Sequence, residues 1–568
     1  MNGSPRAGLL ALPYGLWLLA AFAAPLGAVA LLSVQESSEM FAPLSLLPSG
    51  AQYAELIGDK FYVRVFLNTL TLGLCVAGIS ALLAYPLALW LTRLSPRWKP
   101  FGFAVVLVPL LTNVVVRSLG IILLLAPRGV VSGISQSLGL PPTTNLLFGW
   151  FAVGLSLVQV FLPYMVLALY DVLEGQEKRL EEAAAGLGAG PAQRFWRITL
   201  PLSLPGLRAG FTVTFLLAST AYVSATLVGG RKVWVSGMLV LKEGIEILNY
   251  PLAAALAMLM LFASIAITIL VSRIIAVLTP WLSDRAPRRR LSLTPALRRP
   301  VVAVAEALAP FVSRFLLACA IAILLFPLML VAVASVNDSP QATVAQFIGF
   351  TWKWYGMVLK NERYLSDAWV SLQLALACVA VSLSIALPAA FALVRAGFKG
   401  RETLGAALML PLALPGIAIG LGMLRLLQWF NALPPFMGIL AVHVVLVAPF
   451  MLALLRASVA GLDRALEEAA SGLGAPPARM FRRVILPQLG PGIAVACVIG
   501  FLLSFGEVTV TAFLTTARLQ TLPVRIYAEA TFSLENTVNA ISTIFILMTV
   551  LLLVLINRFM PLDRVWKR

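Results

Sequence analysis

The residues best suited to chemistry in this chain stand in a doubled pattern. Glu182-Ala183-Ala184 is followed by Gly188, Ile198, Leu200 and Pro201, and Glu468-Ala469-Ala470 by Gly474, Val484, Leu486 and Pro487, with no insertion or deletion between the two. Glu and Ala favour a short helix, small alanine side chains let another surface approach, and glycine ends the helix and turns the chain. The chemistry on offer is docking: Glu182 and Glu468 orient the helices, Ala183, Ala184, Ala469 and Ala470 permit close contact, and Gly188 and Gly474 allow the turn. A second reading lays each stretch on a membrane surface with Arg194, Arg197, Arg482 and Arg483 at the headgroups. It gives no reason for the duplication.

Patterns for catalysis are missing from the sequence. The only histidine, His443, lies in an apolar run and reads as a helix-packing residue. No zinc-binding His-Glu-x-x-His, no Gly-x-Ser-x-Gly elbow and no Gly-x-x-x-x-Gly-Lys-Ser/Thr phosphate loop occurs. Cys75, Cys319, Cys378 and Cys497 all sit in apolar runs, where a cysteine is usually a small buried side chain, so no disulfide or metal site is expected.

The elements that must position the doubled stretch are membrane helices. Of 568 residues 60% are hydrophobic and 12% charged, with a mean hydropathy of +0.94, a balance that excludes a water-soluble globule of this size. Twelve apolar runs are each long enough to cross a bilayer core of about 30 Å. They fall at 15–34, 66–92, 102–125, 148–172, 205–228 and 252–278, then at 312–335, 370–394, 403–427, 436–457, 493–515 and 538–560. The formal charge of +18 sits on alternate connections, among them Arg93–Lys99, Lys178–Arg197, Arg285–Arg290, Arg395–Arg401, Arg479–Arg483 and Arg564–Arg568. Positive charge marks the cytoplasmic side, so these loops and both termini are expected there, and the charge signals topology and not nucleic-acid binding. The first run, behind Arg6, reads as an uncleaved helix in place of a signal peptide, because its partner at 312–335 is internal.

The halves repeat. Pro163-Tyr164-Met165 matches Pro449-Phe450-Met451 and Phe215-Leu216-Leu217 matches Phe501-Leu502-Leu503, at an offset of 286 (163 to 449), whereas Pro86 matches Pro388 and Pro109 matches Pro411 at 302 (86 to 388). The difference places about sixteen extra residues in the first half between its third and fourth helices. The expected architecture is all-α and polytopic, with two parallel six-helix repeats: a first at 1–284, a polar Arg- and Pro-rich linker at 285–310 and a second at 311–568.

The doubled stretch resembles the EAA loop of binding-protein-dependent ABC importer permeases. Pro109-Leu-Leu-Thr-Asn-Val-Val-Val-Arg117-Ser-Leu-Gly and Tyr222-Val-Ser-Ala-Thr-Leu-Val-Gly-Gly230 look like the first permease subunit of spermidine/putrescine importers, and Ser504-Phe505-Gly506-Glu507-Val508 with Gln520-Thr521-Leu522-Pro523-Val524 like the second. Fused pairs of this kind also resemble thiamine, ferric-iron and 2-aminoethylphosphonate permeases. The resemblance implies a transport subunit and not an enzyme, lodged in a bacterial inner membrane. ATP and Mg would be held by a separate homodimeric ATPase docked on the two Glu-Ala-Ala helices, and a periplasmic or extracellular binding protein would deliver a small charged or zwitterionic solute of the aminophosphonate or polyamine type. The competing class is an ion-coupled secondary transporter of the major facilitator build, which leaves the doubled stretch without a purpose.

Ionisable residues at membrane depth are costly and face a cavity or a partner. Arg117 and Glu507 are therefore expected to line the outer part of a translocation path, with Asn113 and Tyr222 as polar neighbours, Arg117 favouring an anionic group and Glu507 a cationic one. The rival expectation is that Arg117 and Glu507 pair with each other or cap backbone and lock a closed state.

Overall fold

In hydrocarbon each backbone N–H and C=O must find its partner within the protein, so the apolar runs can only be helices. The structure, a computed structural model, describes residues 5–36, 48–141, 146–176, 178–230, 232–278, 295–339, 347–413, 416–430, 435–532 and 535–559. Six segments cross in the first half: Gly8–Leu32, Lys60–Arg93, Val114–Ser137, Trp150–Glu174, Pro191–Thr220 and Tyr250–Ile274. The second half supplies Leu308–Ser335, Glu362–Arg395, Pro435–Ala460, Pro477–Phe505 and Asn536–Arg558, eleven spans in all among the described residues, or twelve when the pair Arg401–Leu412 and Gly416–Trp429 is counted as one broken ninth span. The all-α fold in two parallel repeats agrees with the sequence.

Three details differ from the sequence reading. The run at 102–125 is not one helix but two, Lys99–Leu111 and Val114–Leu125. The chain turns extended at Thr112 and Asn113, where the Asn113 side chain accepts a hydrogen bond from the Val115 N–H at 2.6 Å and so starts the second helix. The run at 205–228 likewise breaks after Thr220 and resumes at Val223–Gly229. The linker expected at 285–310 lies outside the described residues up to 294, and from Pro295 the backbone is already helical, in one helix to Ser335. Proline suits a first helical turn, and the Ala, Leu and Glu that follow it have high helix propensity.

The first helix of each half packs on the last helix of its own repeat and also reaches across to the other repeat. Gly8–Leu32 lies against Gly416–Phe430, and Leu308–Ser335 against Val114–Leu125. The contact is backbone to backbone. A Cβ on Gly422 would sit 2.1 Å from the Pro25 carbonyl oxygen, and one on Gly120 would sit 2.3 Å from that of Pro327. Both prolines and both glycines are 302 residues apart (25 to 327, 120 to 422), so one contact is built twice. The Tyr14 hydroxyl adds a hydrogen bond to the Leu408 carbonyl at 3.3 Å.

Within each half, the second helix is pinned to the segment that follows the broken fifth. The Thr69 hydroxyl accepts from the Ser236 N–H and the Ser371 hydroxyl from the Leu522 N–H, both at 2.9 Å. Tyr62 donates to Glu243 at 3.1 Å, and Tyr364 to Glu529 at 2.5 Å, again at matching positions. Burial raises both carboxyls above the usual range. The halves part company one turn along: Asp367 and Arg525 form an ion pair where the first half has the buried apolar residues Val65 and Leu239.

Replacing Gly120 or Gly422 by Leu forces the crossed helices apart and is expected to cost about 1–3 kcal/mol, the usual range for overpacking. Gly78→Ala, whose new methyl meets nothing within 4 Å, is the control and leaves stability unchanged. Thermal unfolding of the three purified variants in detergent checks this; equal midpoints for all three would remove the crossing contact from the account.

Candidate functional site

Two zones collect the residues singled out by sequence. The first is the face that carries the Glu-Ala-Ala helices, Lys178–Gly186 and Arg464–Gly472, which are nine residues each. Each ends in the same way: Gly188 (φ +80°) and Gly474 (φ +74°) take the left-handed conformation, and the N–H groups of Ala189 and Ala475 reach back to the carbonyls of Ala184 and Ala470 at 3.0 Å. Just before these glycines, Leu187 and Leu473 are each 89% exposed. After the turn both chains pass through a short helix and a π-helical turn, Phe195–Thr199 and Phe481–Ile485, into the fifth and eleventh spans.

Glu182 and Glu468, expected to orient these helices, face outward with Ala183 and Ala469. The anchoring contacts belong to the preceding residue of each doublet. Glu467 lies 2.9 Å from Arg395, which also donates to the Leu462 carbonyl at 3.2 Å. Glu181 accepts from the Thr199 hydroxyl at 2.6 Å and stands 3.9 Å from Arg93. Arg93 and Arg395 close the second and eighth spans 302 residues apart, so each Glu-Ala-Ala helix is tied to the same helix of its half. The repeated Glu-Glu doublet was the signal for this in the sequence.

The second zone is the midline, where breaks in the helices of opposite halves meet. Asn113, at the break in the third segment, donates to the Gly506 carbonyl at 2.9 Å. Tyr222, at the break in the fifth, donates to the Thr509 carbonyl at 3.0 Å and sets its ring edge-on to Phe513 and Tyr527. Glu507 lies in the same turn, but its carboxylate is occupied by the N–H groups of Val510 and Thr511, both at 3.0 Å, and by the Thr511 hydroxyl at 2.5 Å. The turn therefore gathers Asn113, Tyr222 and Glu507. Arg117, one helical turn on from Asn113, is buried and donates to the Val160 carbonyl at 3.2 Å; among the described residues no ion pair joins it to Glu507.

His443, set aside in the sequence as a packing residue, completes this zone. Its ring nitrogens lie 2.8 Å from the hydroxyls of Ser504 and Thr511, with Glu507 at 4.0 Å. Nothing in its flanking sequence pointed there, because the partners come from a different helix. The polar residues are not duplicated: at an offset of 286 the first half has Leu157, Ala218, Ala221 and Ala225 in place of His443, Ser504, Glu507 and Thr511. Conversely, Asn113, Arg117 and Tyr222 of the first half correspond to Pro415, Ile419 and Val508. Among the described residues no cluster of His, Cys, Asp and Glu is placed to hold a metal ion.

Comparison with known proteins matches residues 77–284 and 382–562 to one family model, described as the binding-protein-dependent transport system inner membrane component. The spermidine/putrescine transport system permease protein PotB of Salmonella typhimurium is 32% identical over 241 residues, 42% of this chain and 80% of that one. PotC of the same kind of system in Escherichia coli is 29% identical over 233 residues, 41% of this chain and 88% of its own. A crystal structure of a bacterial alginate ABC transporter in complex with an alginate pentasaccharide-bound periplasmic protein matches at 18% identity and a TM-score of 0.40, over 47% of this chain and 93% of that one.

The two ties to the Glu-Ala-Ala helices are unequal: the Arg395–Glu467 pair is mostly sheltered, whereas Arg93 is 68% exposed, and exposed pairs contribute little. Arg395→Ala is expected to speed amide exchange across 464–472 by about tenfold, in the range for losing a sheltered charge pair, while Arg93→Ala leaves 178–186 nearly unchanged. Hydrogen exchange read by mass spectrometry checks it, and equal acceleration of both segments would contradict the ranking.

Proposed function

The chain belongs to the family of binding-protein-dependent transport system inner membrane components and carries both permease repeats of an ABC importer, and we propose that its two Glu-Ala-Ala helices couple a separate homodimeric ATPase to alternating access at the midline. In this reading the ATPase holds ATP and Mg, the face with the helices and both termini is cytoplasmic, and a binding protein delivers solute to the opposite face across a bacterial inner membrane. The ion-coupled alternative loses its ground once both repeats fall in an importer family.

The observation that carries the reading is the pair of exposed leucines, Leu187 and Leu473. A side chain of this kind in water on a tight turn, built identically in two halves, fits a pair of identical clefts on a two-fold partner. The exposed alanines beside it let that partner approach the helix backbone. Movement of the partner reaches the fifth and eleventh spans through the glycine turns, and the second and eighth through the Glu181 and Glu467 ties. The fifth span ends at the break before Tyr222 and the eleventh at Gly506, so a pull on both would act on the Asn113–Gly506 and Tyr222–Thr509 hydrogen bonds that hold the midline closed. Glu507 and His443 stiffen that closed turn.

For the cargo, the PotB and PotC relatives support a polyamine-type solute, and the fused resemblance supports an aminophosphonate; a small charged or zwitterionic molecule covers both. Arg117 is buried against the Val160 carbonyl and the Glu507 carboxylate is occupied by its own turn, so contact of either with cargo belongs to another state.

Co-purified with its ATPase in nanodiscs, the protein is expected to show ATP hydrolysis stimulated by a loaded binding protein. Leu187→Asp with Leu473→Asp should abolish co-purification. Gly188→Ala with Gly474→Ala, which puts two side chains into the left-handed region at about 1–2 kcal/mol each, should lower stimulated hydrolysis at least tenfold. If the double aspartate variant retains the ATPase and full uptake, the coupling proposal is wrong.

A further inference from the structure

The breaks that follow the fifth and eleventh spans leave chain on the side away from the Glu-Ala-Ala helices. Pro191–Thr220 and Pro477–Phe505 both start beside those helices, so residues 221–230, 232–249 and 506–532 lie toward the opposite face, as does the start of Trp150–Glu174. There a cavity of about 750 Å3 opens between the halves. Phe148, Trp234, Lys242 and Glu246 line it from the first half, and Thr531 and Phe532 from the second.

Three observations set this cavity apart from an incidental gap. Its two charged side chains are differently engaged: the Lys242 ammonium rests over the Trp234 ring, 5.3 Å from its centre, whereas the exposed Glu246 carboxylate has no hydrogen bond or ion pair among the described residues. Its aromatic rim is held at a cost, because Phe148 adopts φ +62° in the left-handed region and its ring lies where a Cβ on Gly230 would stand, 2.8 Å away. Phe532 projects from the other half at 88% exposure, an arrangement that burial does not explain. The floor is the closed midline: Thr226, which lines the cavity, donates to the Tyr222 carbonyl at 3.0 Å, and the Tyr222 ring stands at 90° to that of Tyr527.

A carboxylate without a partner among ring faces is the chemistry that receives an organic ammonium, through charge and through the negative faces of the rings. We propose that this cavity is a transit site in which Glu246 takes the protonated amine of the solute, with Phe148, Trp234 and Phe532 flanking its carbon chain, before the midline opens. Lys242 sets the direction, since its charge turns the amine end away and toward Glu246. The proposal rests on the importer reading and adds to it the chemical group that the permease itself recognises.

Saturation-transfer NMR on the permease in nanodiscs, with putrescine, 2-aminoethylphosphonate and the amine-free ethylphosphonate as probes, tests it. The two amines are expected to receive saturation and ethylphosphonate not; Glu246→Gln should reduce the amine signal at least fivefold and Phe532→Ala at least twofold, consistent with a charge-assisted contact outweighing a ring contact. In proteoliposomes with the ATPase and a loaded binding protein, Glu246→Gln should raise the half-saturating concentration of loaded binding protein for an amine solute about tenfold. Unchanged signals and unchanged uptake in Glu246→Gln, or equal saturation of ethylphosphonate, would overturn the cavity proposal. Absence of any binding-protein stimulation in the wild type would instead overturn the importer reading on its own.

Discussion

Two backbone contacts join the halves at their crossed helices, and each exists only because a glycine lacks a Cβ. Gly422 lies under the Pro25 carbonyl and Gly120 under that of Pro327, each closer than any side chain would allow. In a bilayer, where apolar side chains gain little by leaving lipid for protein, such close approach is a main source of helix–helix affinity. The consequence is topological. Each half lends its first helix to the other, so the third and ninth segments are gripped on their outer side by the opposite repeat.

That grip explains why helix breaks at the midline are tolerated. Lys99–Leu111 and Val114–Leu125 meet at Asn113, whose side chain both accepts from the Val115 N–H of its own half and donates to the Gly506 carbonyl freed in the other. Irregular backbone at membrane depth survives only where protein supplies such partners. The Tyr222–Thr509 bond and the Glu507 cap do the same one turn away. The midline is thus a seam of polar contacts between elements that are continuous with the spans following the Glu-Ala-Ala helices.

The two repeats share their mechanics and differ in their chemistry. Glycine turns, exposed leucines, Arg–Glu ties, Thr/Ser pins and Tyr–Glu pairs recur at matching positions. The polar residues of the midline do not recur: His443, Ser504, Glu507 and Thr511 belong to one half, Asn113, Arg117 and Tyr222 to the other.

All but one of the spans, the parallel repeat and the positions of the doubled Glu-Ala-Ala stretch were legible from the chain alone. Hydropathy, helix length against bilayer thickness and a constant sequence offset depend only on local composition and order. The glycines at 188 and 474 were legible too, because a left-handed turn after a short helix has a residue preference of its own. Tertiary structure alone decided which glutamate of each doublet is anchored, because that depends on where Arg93 and Arg395 arrive from a distant helix. It also decided that Glu507 caps backbone while Arg117 turns to Val160, and that His443 joins Ser504 and Thr511. A side chain's type announces what it can bond to, but only the packing of helices far apart in sequence determines which partner is within reach.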